Sequence, residues 1–288
     1  MSTDANKSEE GRLVSLDALR GFDMLFLVGI AGVFQTLPKL WDNALFTWLA
    51  GQCEHTVWHG FHLYDLIFPL FIFMVGASLP FALTKRLQKG YSRNKLYIHI
   101  VKRSLLLFFL GLILNGLLGF DFSDFGYTGV LQRIAIAYFF SALAVMNTDI
   151  KTQAIIAGSL LISYWLLMIL VPVPGFGPGV LTPEGNLHSF IDQKFLPGKL
   201  YNGFYDEDGI LQQLSSIAVC LAGVLSGHWL RYNTTISQYI SITILQEFCV
   251  FLNFRKDFIP WKNKRSKQLK QTDWCQLMHY VDLQCSCW

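Results

Sequence analysis

Apolar residues along this chain come in blocks, most of them about 17–21 residues long, divided by short polar stretches. At 1.5 Å per residue, a helix of that length crosses the ~30 Å hydrocarbon layer of a bilayer. The pattern predicts spans at about 17–37, 63–83, 104–120, 130–146, 153–173 and 210–230. The expected fold is therefore all-α, a polytopic transmembrane helix bundle of about six spans with its N-terminus cytoplasmic. Orientation follows from 85–103, which holds Lys85, Arg86, Lys89, Arg93, Lys95, Lys102 and Arg103 and no acid. Basic connectors stay in the cytoplasm, so 38–62, 121–129 and 174–209 are expected on the opposite side. Pro174, Pro178, Pro183, Pro197 and repeated Gly make 174–209 read as loop without a continuous helix.

Composition sharpens the membrane reading. Only 15% of the 288 residues are charged, against roughly 25% in soluble domains. The mean hydropathy is +0.38, and aromatics near block ends fit residues that settle at membrane interfaces. Four of the six cysteines, Cys249, Cys275, Cys285 and Cys287, crowd the far end. That leaves Cys53 and Cys220, too scattered for a disulfide scaffold or a zinc site and read as apolar filler. The first twelve residues are polar, and the first apolar block carries Asp17, Arg20 and Asp23 without a small-residue cleavage site, so the first helix is expected to be retained. Three segments result: a polar tail at 1–12, a partial transmembrane domain at 13–231 and an atypical tail at 232–288. Within that tail, 240–254 is short for a span and 255–288 has neither helical nor strand periodicity. It reads as the frameshifted or truncated end of a longer membrane protein.

Ionisable groups inside spans are expensive, so they mark ion pairs, cavities or function. Asp17 and Arg20 lie at i and i+3, close enough to pair on one helix face. Asp65 and Arg133 sit at the outer ends of the second and fourth spans, beside the histidine-bearing loops. The densest chemistry is Glu54-His55-Thr56-Val57-Trp58-His59-Gly60-Phe61-His62-Leu63-Tyr64-Asp65. Histidine exchanges protons near neutral pH, which suits general acid–base work. On a helix, His55, His59 and His62 would share a face, as would suit a metal. The Glu-x-x-His and His-Glu-x-x-His contexts of zinc helices are absent, so no metal is expected. Asp206-Glu207-Asp208-Gly209 precedes the sixth span. Its acids either favour that helix's positive N-terminal end or receive a cationic or hydroxyl-rich substrate. Gly175-Phe176-Gly177-Pro178-Gly179 lacks the Lys-Ser/Thr and helix of a phosphate-binding loop.

Four ordered motifs carry a resemblance. Ser15-Leu16-Asp17-Ala18-Leu19-Arg20-Gly21-Phe22 opens the first span. Then come His55-x-x-Trp58-x-Gly60-x-x-x-x-Asp65-Leu66-Ile67-Phe68-Pro69, Gly129-Val130-Leu131-Gln132-Arg133-Ile134 and Tyr205-Asp206-Glu207-Asp208-Gly209-Ile210-Leu211, the last followed by Gly223-x-x-x-Gly227. In order and spacing, over about 12–231, they resemble the heparan-α-glucosaminide N-acetyltransferase family. The resemblance implies a multi-pass acyltransferase that moves an acetyl group from cytosolic acetyl-CoA to an amino sugar or glycan on the far side of the membrane. It implies His55 as the catalytic residue; our expectation adds Asp65 as its helper, with Trp58, Arg133, Asp206 and Asp208 at the acceptor. Arg20 and the 85–103 segment are the candidates for CoA phosphates. Where a lysosomal member of the family carries Asn, this chain has Ala31. The family also continues through further spans. The short N-terminal portion fits bacterial relatives and hence a bacterial cytoplasmic membrane. Expected partners are the lipid bilayer, acetyl-CoA and the acceptor, with no nucleic acid; a homo-oligomer is compatible with the chain. Two other readings remain, a transporter whose intramembrane Asp and Arg line a pathway and a non-catalytic membrane scaffold.

Overall fold

The computed structural model describes residues 14–232, except 42, 57–59, 118–124, 197–199, 201–202 and 204. The sequence tail expected to be frameshifted therefore lies outside the described residues. The described chain is nearly all helical: α1 (Val14–Leu25), α2 (Ala31–Leu40), α3 (Ala44–Gln52), α4 (Leu63–Gln88), α5 (Arg93–Leu114), α6 (Val130–Asn147), α7 (Ile150–Leu170), α8 (Leu187–Phe195) and α9 (Gln212–Tyr232). Five of these, α4, α5, α6, α7 and α9, are long and apolar enough to cross a membrane. The first predicted span is instead divided. α1 and α2 are joined through a π-helical turn, Phe26–Ile30, kinked at Gly29, the usual kind of place for a bend. The chain is an integral membrane protein built as an all-α polytopic bundle.

Three departures from the hydropathy pattern arise because apolar block length registers neither short helices nor the polar ends of long ones. α3 and α8, nine residues each, lie inside the two expected loops. α4 runs on to Gln88 and α5 starts at Arg93, so the basic connector is mostly helix. Lys and Arg are good helix formers, and their stems lie along apolar surface while their charges reach water.

The bundle is tightest between α4 and α9. A Cβ at Gly76 would strike the Cys220 carbonyl, one at Gly223 the Phe73 carbonyl, and one at Gly227 the Ala77 carbonyl. Backbones approach this closely only where small residues line the seam. Around it lie Ile72, Leu79, Leu83, Leu96, Ile100, Tyr138 and Val224, all buried. Alternating helix directions gather the start of α4, the end of α5 and the starts of α6 and α9 at one end of the bundle. The end of α4 and the start of α5 bring Arg86 and Arg93 to the other.

Candidate active site

The segment that carries His55 between α3 and α4 is held by three hydrogen bonds of its neighbours. Gln35 on α2 donates through Nε2 to the Cys53 carbonyl at 2.6 Å. The Gln52 Oε1 accepts from the Leu63 backbone N–H at 3.3 Å, and His62 Nδ1–H donates to the Glu54 carbonyl at 2.8 Å. His62 itself is extended (φ −111°, ψ 157°) and precedes α4, so His55 and His62 do not share a helix face. Among the described residues no group of three or more His, Cys, Asp or Glu is placed to hold a metal ion; His59 lies outside them.

Asp65 is the second half of the site. Its Oδ1 accepts from His55 Nδ1–H at 2.8 Å. Its Oδ2 accepts from the Thr56 hydroxyl at 3.2 Å and from the His62 backbone N–H at 3.0 Å. A carboxylate only accepts, so the proton sits on Nδ1 and Nε2 is left as the basic nitrogen of the ring. This is the histidine–carboxylate arrangement that fixes the tautomer in many acyl-transfer enzymes. Tyr64 packs edge-on against the imidazole, 4.8 Å between centroids. Neighbouring Cys53 is buried, and desolvation holds its thiol above the usual range, so it stays a poor competing nucleophile.

His55 opens onto a cavity of about 680 Å³ whose other walls include Asn115, Gln132, Asp206, Glu207 and Asp208. Three of the expected motifs thus meet in one space. Arg133 lies behind the acidic wall. Its Nη1 donates to Asp208 Oδ1 and to the Glu207 carbonyl, both at 3.1 Å, and its Nη2 donates to Gln212 Oε1 at 3.1 Å. Its Nε–H donates to the Ser216 hydroxyl, and the guanidinium lies 4.6 Å over the Phe68 ring. Burial pushes the Asp208 carboxyl above its ordinary range, and the Arg133 guanidinium opposes that push. Arg133 is therefore a brace for the wall. Trp58 lies outside the described residues. Arg20 pairs with Asp17 at 3.6 Å on α1 and is not among the residues lining this cavity.

Sequence reasoning missed two further spaces in the bundle that share walls with one another and with this cavity. Val130 and Leu131 also line an apolar slot of about 320 Å³ between α1, α4, α5 and α6, with Phe68, Phe71, Leu107 and Tyr138. Val75, Arg103 and Tyr138 in turn line a small cavity at the basic end beside Arg86 and His99. Side chains from four helices build this line of spaces, and no local sequence signal announces it.

The family described as a domain of unknown function (DUF5009) matches residues 12–175. Heparan-alpha-glucosaminide N-acetyltransferase of Mus musculus is 28% identical over 280 residues, covering 80% of this chain and 40% of the relative. The Homo sapiens protein of the same name is 27% identical over 290 residues, covering 83% of this chain and 42% of the relative. The chain thus spans about two fifths of the length of these curated relatives. The family model covers more than half of the chain, so the chain belongs to the DUF5009 family, and over about four fifths of its length it is similar to the heparan-alpha-glucosaminide N-acetyltransferases.

Proposed function

We propose that the protein transfers an acetyl group from acetyl-CoA, taken up at the basic, cytosolic end of the bundle, to the amine of an amino sugar or glycan in the cavity at the opposite end. The observation that carries this reading is the Asp65-held His55 on the wall of a cavity whose other side is acidic. The acceptor amine attacks the thioester carbonyl, and His55 Nε2 takes the amine proton as the C–N bond forms. The C–S bond then breaks, and the CoA sulfur receives that proton from the imidazolium. Asp65 stabilises the imidazolium without taking its proton. The acid wall raises the local concentration of a cationic sugar, whose ammonium releases one proton to water before the neutral amine attacks, with Asp206 and Asp208 as acceptor-binding groups and Arg133 holding Asp208 in place.

On this reading the apolar slot takes the donor's arm, and the guanidinium groups of Arg86 and Arg103 at the far end meet its phosphates. Arg20, paired with Asp17, is a weaker phosphate ligand than these. The orientation rests on the basic helix ends being cytosolic.

The test is transfer from radiolabelled acetyl-CoA to glucosamine by purified protein, with His55→Ala alongside. Loss of about a hundredfold or more is expected for the variant. Transfer unchanged in His55→Ala would reject the assignment of that residue. Sugar uptake into proteoliposomes without acetylation would favour a transporter. Acetyl-enzyme isolated in the absence of acceptor would replace direct transfer with an acetyl-histidine route.

A further inference from the structure

We propose that α8 is the pedestal of the acceptor wall, and that Asp192 and His188 are positioning residues fixing the Asp206–Asp208 loop against the cavity. Asp192 is fully buried and His188 is 3% exposed, an expensive placement unless both are engaged. The partners they engage belong to the acid loop. Asp192 Oδ2 accepts from the Asp206 backbone N–H at 3.3 Å, and Oδ1 accepts from the Ile210 backbone N–H at 3.1 Å, so one carboxylate grips both ends of the loop. His188 Nε2–H donates to the Asp206 carbonyl at 2.8 Å and lies 3.4 Å from Asp192 Oδ2.

Gly209 closes over the Asp192 carboxylate so tightly that a Cβ there would overlap it. Inside the loop, Asp206 Oδ1 accepts from the Asp208 backbone N–H at 2.9 Å, and Gln213 Nε2 donates to the Asp208 carbonyl at 3.1 Å. α8 is itself anchored. Asn186 Oδ1 accepts from the Ser189 backbone N–H at 2.8 Å, and Asn186 Nδ2 donates to the Thr182 carbonyl at 2.7 Å. The wall that meets the acceptor is therefore shaped from beneath by a helix that does not line the cavity, while Arg133 braces it from the side.

This rests on the acetyl-transfer reading, and the test separates the two. Asp192→Asn keeps the volume but replaces one acceptor oxygen by a donor facing a backbone N–H. Gly209→Ala leaves Asp192 intact and pushes the loop off it. Each variant is expected to raise the KM for glucosamine about tenfold or more with the KM for acetyl-CoA changing little, and to lower the detergent-solubilised melting temperature without abolishing folding. If wild type acetylates glucosamine and both variants leave its KM unchanged, or raise both KM values alike, the pedestal is rejected and the transfer reading stands. If Asp192→Asn does not fold, Gly209→Ala alone decides by the same criterion. Wild-type protein that acetylates no amino sugar overturns both.

Discussion

At the residue scale, Asp65 does two jobs with one carboxylate: it fixes the tautomer of His55 and secures the backbone at the start of α4. Asp65→Asn separates them. The amide oxygen can still meet the His62 N–H, but an amide nitrogen turned to His55 would push its proton to Nε2 and remove the base. A fall in kcat of about a hundredfold to ten-thousandfold is expected, with little change in the KM for acetyl-CoA. Stopped-point assays with both substrates varied measure the split, and equal losses in every parameter would point to misfolding instead. Arg133→Lys asks the parallel question of the brace. A lysine cannot reproduce the fork that spans Asp208, Gln212 and Ser216, so acceptor KM should rise about tenfold while the donor KM holds. His55 and Asp65 were readable in the sequence because only ten positions part them within one motif. Asp192 and His188 were not, since their partners stand 14 to 18 residues away and nothing in the intervening loop signals the buried contact.

Among the elements, the α4–α9 seam carries the tightest packing constraint. At Gly223 a methyl group would meet the Phe73 carbonyl and the Ala77 nitrogen, backbone atoms that cannot swing aside. Gly223→Ala is expected to destabilise the bundle by about 1–3 kcal/mol, as other overpacked substitutions do. Thermal unfolding in detergent measures it, with Gly158→Ala on α7, where nothing lies within 4 Å, as a near-neutral control. The start of α7 gives a pH test. Asp149 caps it, accepting from the Lys151 and Thr152 backbone N–H groups, and the Thr152 hydroxyl bond leads the effects that hold its carboxyl below the ordinary value of 3.8. A depressed carboxyl contributes stability that is full above 3.8 and is lost as pH falls through the lower, folded value. The melting-temperature gap between wild type and Asp149→Ala should therefore shrink on acidification below that point; a gap that widens there contradicts the cap. The beginnings of α4 at Leu63 and α6 at Val130 coincide with the hydropathy boundaries, because a membrane core sharply rewards apolar runs. α3 and α8 escaped because nine residues in a loop leave no such imprint.

Over the whole molecule, the distance between the two ends decides how donor and acceptor meet. α4, at 26 residues, is roughly 39 Å long at 1.5 Å per residue. Its start carries the dyad and its end the cationic cluster, so a donor whose phosphates rest at one end must reach the other through the bundle. The slot between α4, α5 and α6 offers that route, and Val75 stands at its join with the basic cavity. A Val75→Trp substitution adds bulk there without touching His55, Asp65 or the acid wall. If acetyl-CoA enters from the basic end, the variant should lose about tenfold or more in kcat/KM for acetyl-CoA while glucosamine still binds as to wild type, because misplacing a reacting group by an ångström is enough to cost that much. If the donor instead enters beside His55, Val75→Trp will transfer acetyl groups at the wild-type rate. Sealed vesicles complete the test: with the basic end outward and acetyl-CoA added outside, N-acetylglucosamine should form only from sugar trapped within. Product formed equally from sugar on the donor's side would mean that the cavity and the basic end open to one compartment, and the vectorial reading would fall.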